Sequence, residues 1–224
     1  MITTVIFDMD GVIVDTEPLH RAAFLHHFKL LNIIVSDDFY ATFTGNSTKN
    51  VYQKIKDHFS INSPIDDLVA TKRVLFNELF DADTNLSLLD GVLDLIKNLH
   101  QSGMQLILAS SSAKVTINKI FEKFELDYYF KHKISGEDFE FSKPNPAIFN
   151  HAVALSGHKK ENCIVIEDST NGIIAAKNAS LFCIGYDSPN SKLQDYTLSD
   201  LKISSFNEIN YNSIITLNTN QNGL

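Results

Sequence analysis

The hydrophobic pattern of the chain changes character twice. Val5-Ile6-Phe7 is a short apolar run of β-branched and aromatic residues, which predicts a strand buried on both faces. From Leu19 to about Phe80 the apolar positions recur instead at helical spacing. Leu19, Ala22, Ala23, Phe24, Phe28 and Leu31 form the first such stripe, and 38–43, 48–59 and 65–80 repeat it, with breaks at Gly45 and at Ser63-Pro64. Thr16-Glu17-Pro18 carries the start signal of the first helix, with Thr16 as cap, Glu17 near its positive end and Pro18 in its first turn. The segment 85–89 leads back, and Asp90-Gly91-Val92 opens a helix to about Gln101. Beyond Gly103 strand and helix alternate: strands over 104–109, 132–135, 163–166 and 181–185, with helices to about 124, over 146–155 and over 173–179. Alternating βα units imply a parallel sheet with right-handed crossovers. The predicted fold is therefore α/β, a Rossmann-like parallel-sheet core built from 1–15 and 89–224, with an α-helical domain inserted over 16–88. The tail after Ser204 is rich in Asn and Ser, and its last residues are expected to fray.

Composition narrows the partners. The 224 residues are enough for one sizeable core plus a smaller insert. A formal charge of −8 argues against nucleic acid or an acidic membrane surface, so any phosphate must be met by a metal or by a few placed cations. No basic segment followed by an apolar stretch opens the chain, and no apolar run is long enough to span a bilayer. The expected compartment is the cytoplasm and the expected state a monomer. Cys163 and Cys183 lie in apolar strand-like runs and read as buried free thiols.

Polar residues collect at the ends of the apolar strands. Asp8 and Asp10 follow the first one directly, with Gly11 to turn the chain. In an extended backbone, positions i and i+2 share a face, so two like charges sit together and call for a proton or a divalent cation between them. Ser110, with Ser111 and Ser112, follows the second strand. Lys143 stands in Ser142-Lys143-Pro144-Asn145-Pro146, where the prolines stiffen the loop, and Glu167-Asp168 closes the run Cys163-Ile164-Val165-Ile166. In a parallel sheet these ends converge on one edge, where open α/β sheets bind ligands. Taken singly each residue has a plainer reading: a turn, a helix cap for Ser110, a solvated lysine.

In this order and spacing, the four motifs resemble the haloacid dehalogenase superfamily, in the branch with a helical cap after the first motif and nearest its β-phosphoglucomutase and sugar-phosphate phosphatase group. The likeness runs from Val5 to about Tyr186. It implies a nucleophilic Asp8 that forms an aspartyl-phosphate, and Asp10 as general acid and base. It implies Ser110, with a neighbouring backbone N–H, on the phosphoryl oxygens, and Lys143 balancing charge. Mg²⁺ would be held by Asp8, the Asp10 carbonyl and Asp168, with Glu167 either near the metal or bonded to Lys143. Ser111 and Asn145 fall beside these positions and count as substrate-binding candidates. In the cap, His20 matches a hinge histidine that helps position Asp10, and Gly45, Ser47 and Lys49 match the specificity loop. The mutase pattern has an arginine after the serine, where this chain has Thr48 followed by Lys49; lysine is a point charge and lacks the bidentate fork. Lys72 and Arg73 read as solvated charges that could substitute for it, and His26-His27 as surface.

The resemblance leads to a Mg²⁺-dependent phosphohydrolase acting on a small phosphorylated metabolite, a sugar phosphate by expectation. A β-phosphoglucomutase-type phosphomutase is the second reading, weakened by the missing arginine. Dehalogenase chemistry needs neither Asp10 nor the Glu167-Asp168 pair, and a catalytically silent phosphate-binding module would have no use for an intact Asp8 and Asp10.

Overall fold

The computed structural model describes residues 1–43, 46–188 and 193–217. The chain divides into two compact units, Met1–Asp15 with Ser87–Leu224, and Thr16–Leu86.

The first unit is a six-stranded, all-parallel sheet in the order β3-β2-β1-β4-β5-β6. β1 (Thr4–Phe7) is central, paired with β2 (Gln105–Ser110) on one side and β4 (Cys163–Glu167) on the other, so Phe7 lies between Leu108 and Ile166. β1 is fully buried, as its unbroken apolar run requires, and the whole of β4 is buried too. β3 (Phe130–Ser135) is the edge strand beyond β2, and it carries Lys131 and Lys133, a composition that discourages further pairing. β5 (Phe182–Tyr186) continues the sheet on the other side.

Helices cover both faces. Ile6, Ile107, Ala109 and Val165 share a core with Ile148, Phe149 and Ala152 of α7 (Ala147–Ser156), and with Ile173 and Ala176 of α8 (Thr170–Asn178). On the opposite side α5 (Val92–Gln101) buries Val92, Leu95, Ile96 and Leu99, a spacing of three and four residues that makes one stripe. α6 (Lys114–Lys123) sends Phe121 edge-on against Phe130, with ring centroids 5.1 Å apart. Strands and helices fall within a few residues of the predicted spans. Two elements escaped the pattern: the three-residue β6 (Leu201–Ile203) and the one-turn α9 (Tyr211–Ile215), each too short to show a period.

The second unit is helical throughout: α1 (Glu17–Leu30), α2 (Asp37–Ala41), α3 (Thr48–Phe59) and α4 (Ile65–Ala82). Its core is aromatic, with Phe24, Phe28, Tyr40, Phe43 and Tyr52 packed with Val51, Ile55 and Leu68. Ser36 and Ser47 cap α2 and α3 through their hydroxyls, whereas Thr16 makes no side-chain cap to α1, which relies on Pro18 in its first turn. Two surface expectations are corrected here. His27 is buried, with Nδ1 2.6 Å from the Tyr52 hydroxyl; burial lowers the imidazole pKa and raises that of the phenol, so tyrosine donates to a neutral ring. Lys72 is buried as well, 2.5 Å from His20 Nδ1 and 4.6 Å above the Phe24 ring. Burial, with the Lys72 charge added, keeps the His20 pKa well below its ordinary value, so the ring is neutral and accepts. Among the described residues no helix is long and apolar enough to cross a membrane.

Candidate active site

The site assembles at the carboxyl end of the central strands. β1 stops at Phe7, but the Asp8 backbone N–H still donates to Ile166 O at 3.0 Å, so the first carboxylate leaves from the ladder itself. The chain then folds back tightly. Met9 O accepts from the N–H groups of Val12, Ile13 and Val14, and Gly11, at φ +83°, supplies the left-handed turn. Gly11 is also required by space: a Cβ there would lie 2.1 Å from Asp168 Oδ2. Asp8 is buried and Asp10 half-buried.

Lys143 is the cation of the site. It is buried, and its three ammonium protons have three acceptors: Asp8 Oδ1 at 2.6 Å, Glu167 Oε1 at 2.8 Å and Ala109 O at 3.0 Å. Its Nζ also lies 4.8 Å from the centre of the Phe149 ring. Burial works against the ammonium, but Asp8 and Glu167 outweigh it and hold the lysine pKa above its ordinary value. The same burial, which Lys143 offsets only in part and which the Glu167 and Asp10 charges reinforce, pushes the Asp8 carboxyl up to about 7.

Glu167 and Asp168 divide their work. Glu167 Oε1 takes Lys143, while Oε2 accepts from Ser169 N at 2.8 Å and Ser169 Oγ at 3.0 Å. Ser169 in turn caps α8 by accepting from Gly172 N. Gly172 makes room for this arrangement, since a Cβ there would lie 1.7 Å from Glu167 Oε1. Glu167 thus has both oxygens engaged, which favours the alternative in which it orients the lysine. Asp8, Glu167 and Asp168 nevertheless bring carboxylate oxygens within 4.8 Å of one another. Three buried carboxylates and one lysine leave an excess of negative charge among hard oxygen donors, which suits Mg²⁺.

The remaining candidates are placed as follows. Ser110 ends β2, buried, and its Oγ accepts from Ser112 N at 3.1 Å; it caps no helix, because α6 begins beyond Ala113. Ser111 is half-buried beside it. Asn145 Oδ1 accepts from Ala147 N at the start of α7. In the helical unit, Ser47 is the cap of α3, Lys49 is exposed in its first turn and His20 is paired with Lys72. Gly45 lies outside the described residues. Of the two arginines, Arg21 is bound to Asp37 at 2.6 Å and stacked over Tyr40. Ser169, Gly172 and Phe149 were not singled out from the sequence, and Ser112 was named only as a neighbour of Ser110, with no role. The Ser169 cap was the readable one, as a serine three residues before Gly172; the others depend on contacts across the sheet.

A central parallel strand ending in a buried aspartate, a lysine held between two carboxylates and a third carboxylate alongside together define a hydrolase-type site on a Rossmann-like sheet. The chain belongs to the haloacid dehalogenase-like hydrolase family, whose sequence profile it matches over residues 5–186, and it is an enzyme of the family's phosphatase kind. It is 30% identical over 210 residues to hexitol phosphatase B of Escherichia coli, covering 93% of this chain and 94% of that one. The crystal structure of CbbY from Rhodobacter sphaeroides in complex with phosphate superposes with a TM-score of 0.84 at 27% identity, covering 93% of this chain and 96% of that one. A β-phosphoglucomutase from Clostridium difficile shares the fold, with a TM-score of 0.83 at 24% identity and 96% of each chain covered.

Proposed function

We propose that the protein is a Mg²⁺-dependent phosphatase of small phosphorylated metabolites, of the sugar-phosphate or sugar-alcohol-phosphate class, that works through an aspartyl-phosphate on Asp8. The observation that carries this reading is the buried Lys143 bonded to both Asp8 and Glu167. A carboxylate approaches a phosphate dianion only where positive charge is already in place, and Lys143 is buried at that point. Mg²⁺, bound by Asp8, Asp168 and the Asp10 carbonyl, would supply the remaining neutralisation.

In the first half-reaction an Asp8 oxygen attacks phosphorus as the bond to the leaving oxygen breaks, and Asp10 gives that oxygen a proton. In the second, Asp10 takes a proton from water as it attacks phosphorus, releasing phosphate and regenerating Asp8. Ser110 and adjacent backbone N–H groups hold the phosphoryl oxygens. Lys143 balances charge throughout, and Glu167 keeps it aimed. The name of hexitol phosphatase B and the phosphate bound to CbbY support the substrate class.

The test is ³¹P NMR of the protein with Mg²⁺ and a panel of sugar and sugar-alcohol phosphates, including β-glucose 1-phosphate with and without glucose 1,6-bisphosphate. A growing inorganic phosphate signal is expected. Conversion of β-glucose 1-phosphate to glucose 6-phosphate without phosphate release would replace the phosphatase by a phosphomutase.

A further inference from the structure

The Asp10 carboxylate is gripped by a side chain outside the four motif positions. Ser112 Oγ donates to Asp10 Oδ2 at 2.5 Å, at the short end of the range for a hydroxyl on a carboxylate, and it joins parts of the chain 102 residues apart. Both partners are fixed before they meet. Asp10 sits in the tight turn closed on Met9 O, and Gly11 N donates to Val14 O at 2.8 Å. Ser112 is anchored on each side of its Cα: its N–H donates to Ser110 Oγ, and its carbonyl accepts from the buried Ser135 Oγ at 2.7 Å. The end of β3 presses on the same loop, where a Cβ on Gly136 would come within 3.1 Å of Ser111 Cα, and Lys114 N donates to Glu137 Oε2 at 2.8 Å. The loop therefore holds its shape without the Ser112 hydroxyl, which is aimed at Asp10 and is not needed as a strut.

Resting on the acid and base role proposed above for Asp10, we infer that Ser112 is a positioning residue for proton transfer: its hydroxyl sets the rotation of the Asp10 carboxylate so that the proton reaches the leaving oxygen. The torsion that turns a carboxylate about its last bond is broad and weakly restrained, so a single fixed partner decides where its oxygens point. Proton transfer is sensitive to that direction, and small misplacements at a reacting centre cost large factors in rate.

The experiment compares kcat/KM for two aryl phosphates, phenyl phosphate and p-nitrophenyl phosphate, with Mg²⁺ and the full chain. Neither substrate carries a sugar or a second phosphate, so they differ in how much the departing oxygen needs a proton: phenolate needs one, and p-nitrophenolate leaves without. Ser112→Ala should lose about tenfold on phenyl phosphate and less than about twofold on p-nitrophenyl phosphate. Ser112→Thr, which keeps the hydroxyl, should recover most of the loss. An equal loss on both substrates would make Ser112 a structural or phosphoryl-gripping residue and overturn the inference, as would no loss on phenyl phosphate. Asp10→Asn separates the two levels. If it shows the leaving-group dependence and Ser112→Ala does not, the role of Ser112 is wrong; if Asp10→Asn itself shows none, the acid role of Asp10 is wrong and the inference goes with it.

Discussion

Replacing Asp8 by asparagine should stabilise the metal-stripped protein at alkaline pH while ending its turnover. The burial that pushes the Asp8 carboxyl from an ordinary 3.8 up to about 7 means that, between those values, the folded chain keeps a proton that the unfolded chain has released. The associated stability is complete below the lower value and is lost as pH climbs through the upper one. Three pH units at about 1.4 kcal/mol each come to about 4 kcal/mol lost by pH 8. Asparagine keeps the outline of the side chain, can still accept from Lys143 and carries no charge to desolvate. In EDTA, the urea-unfolding free energy of Asp8→Asn should match wild type near pH 4 and exceed it by up to about 4 kcal/mol at pH 8. Mg²⁺ should narrow the gap at pH 8, because a ligand at 100 times its Kd adds about 2.7 kcal/mol to the form that binds it, and the variant lacks one of the carboxylates. Hydrolysis followed on the same samples should be absent in the variant. A stability difference that does not change with pH, or a wild type more stable at pH 8, would refute the electrostatic account of the site.

Three further outcomes are expected. EDTA should silence phosphate release by the wild type and Mg²⁺ restore it; turnover independent of metal would remove the carboxylate cluster from its role. Gly172→Ala should drive Glu167 off Lys143, since the new methyl would overlap the carboxylate, and should cut kcat at least tenfold while costing roughly 3 kcal/mol in urea unfolding from the broken buried pair. Unchanged kcat would show that Glu167 does not orient the lysine. Tyr52→Phe leaves His27 Nδ1 without its donor and should cost about 1–3 kcal/mol, read as faster hydrogen exchange in α1 and α3.

Much of this architecture was legible along the chain because it is written in local patterns. The central strands are continuous apolar runs, the inserted unit is a succession of helical stripes, and the charged residues fall where the runs end. The arrangement at the strand ends was legible only in part. That Lys143 would be buried, and that Glu167 would hold it with one oxygen while Ser169 fixes the other, depends on Gly172, Ser169 and Phe149, which reach the site from α7 and the start of α8 and lie outside the motifs themselves. Burial of His27 and Lys72 was missed for a related reason. A polar residue on a helical stripe reads as solvated until its partner, here Tyr52 or His20, is known to stand opposite. β6 and α9 were missed because three and five residues hold no period.

The place of β1 at the centre of the sheet has a consequence for how the chain is made. β1 is synthesised before both of its neighbours, which follow about 100 and about 160 residues later, with Thr4 facing Gln105 on one side and Cys163 on the other. At about 5–20 residues per second, that wait lasts on the order of 8–30 s on the ribosome. Meanwhile the continuous segment Thr16–Leu86 emerges with all of its own helical partners. The nascent protein therefore passes through a stage in which the helical insert can be complete while the strand bearing Asp8 is unpaired and apolar. That stage is the one at which a chaperone has most to protect, and slowing translation after residue 86 would lengthen it.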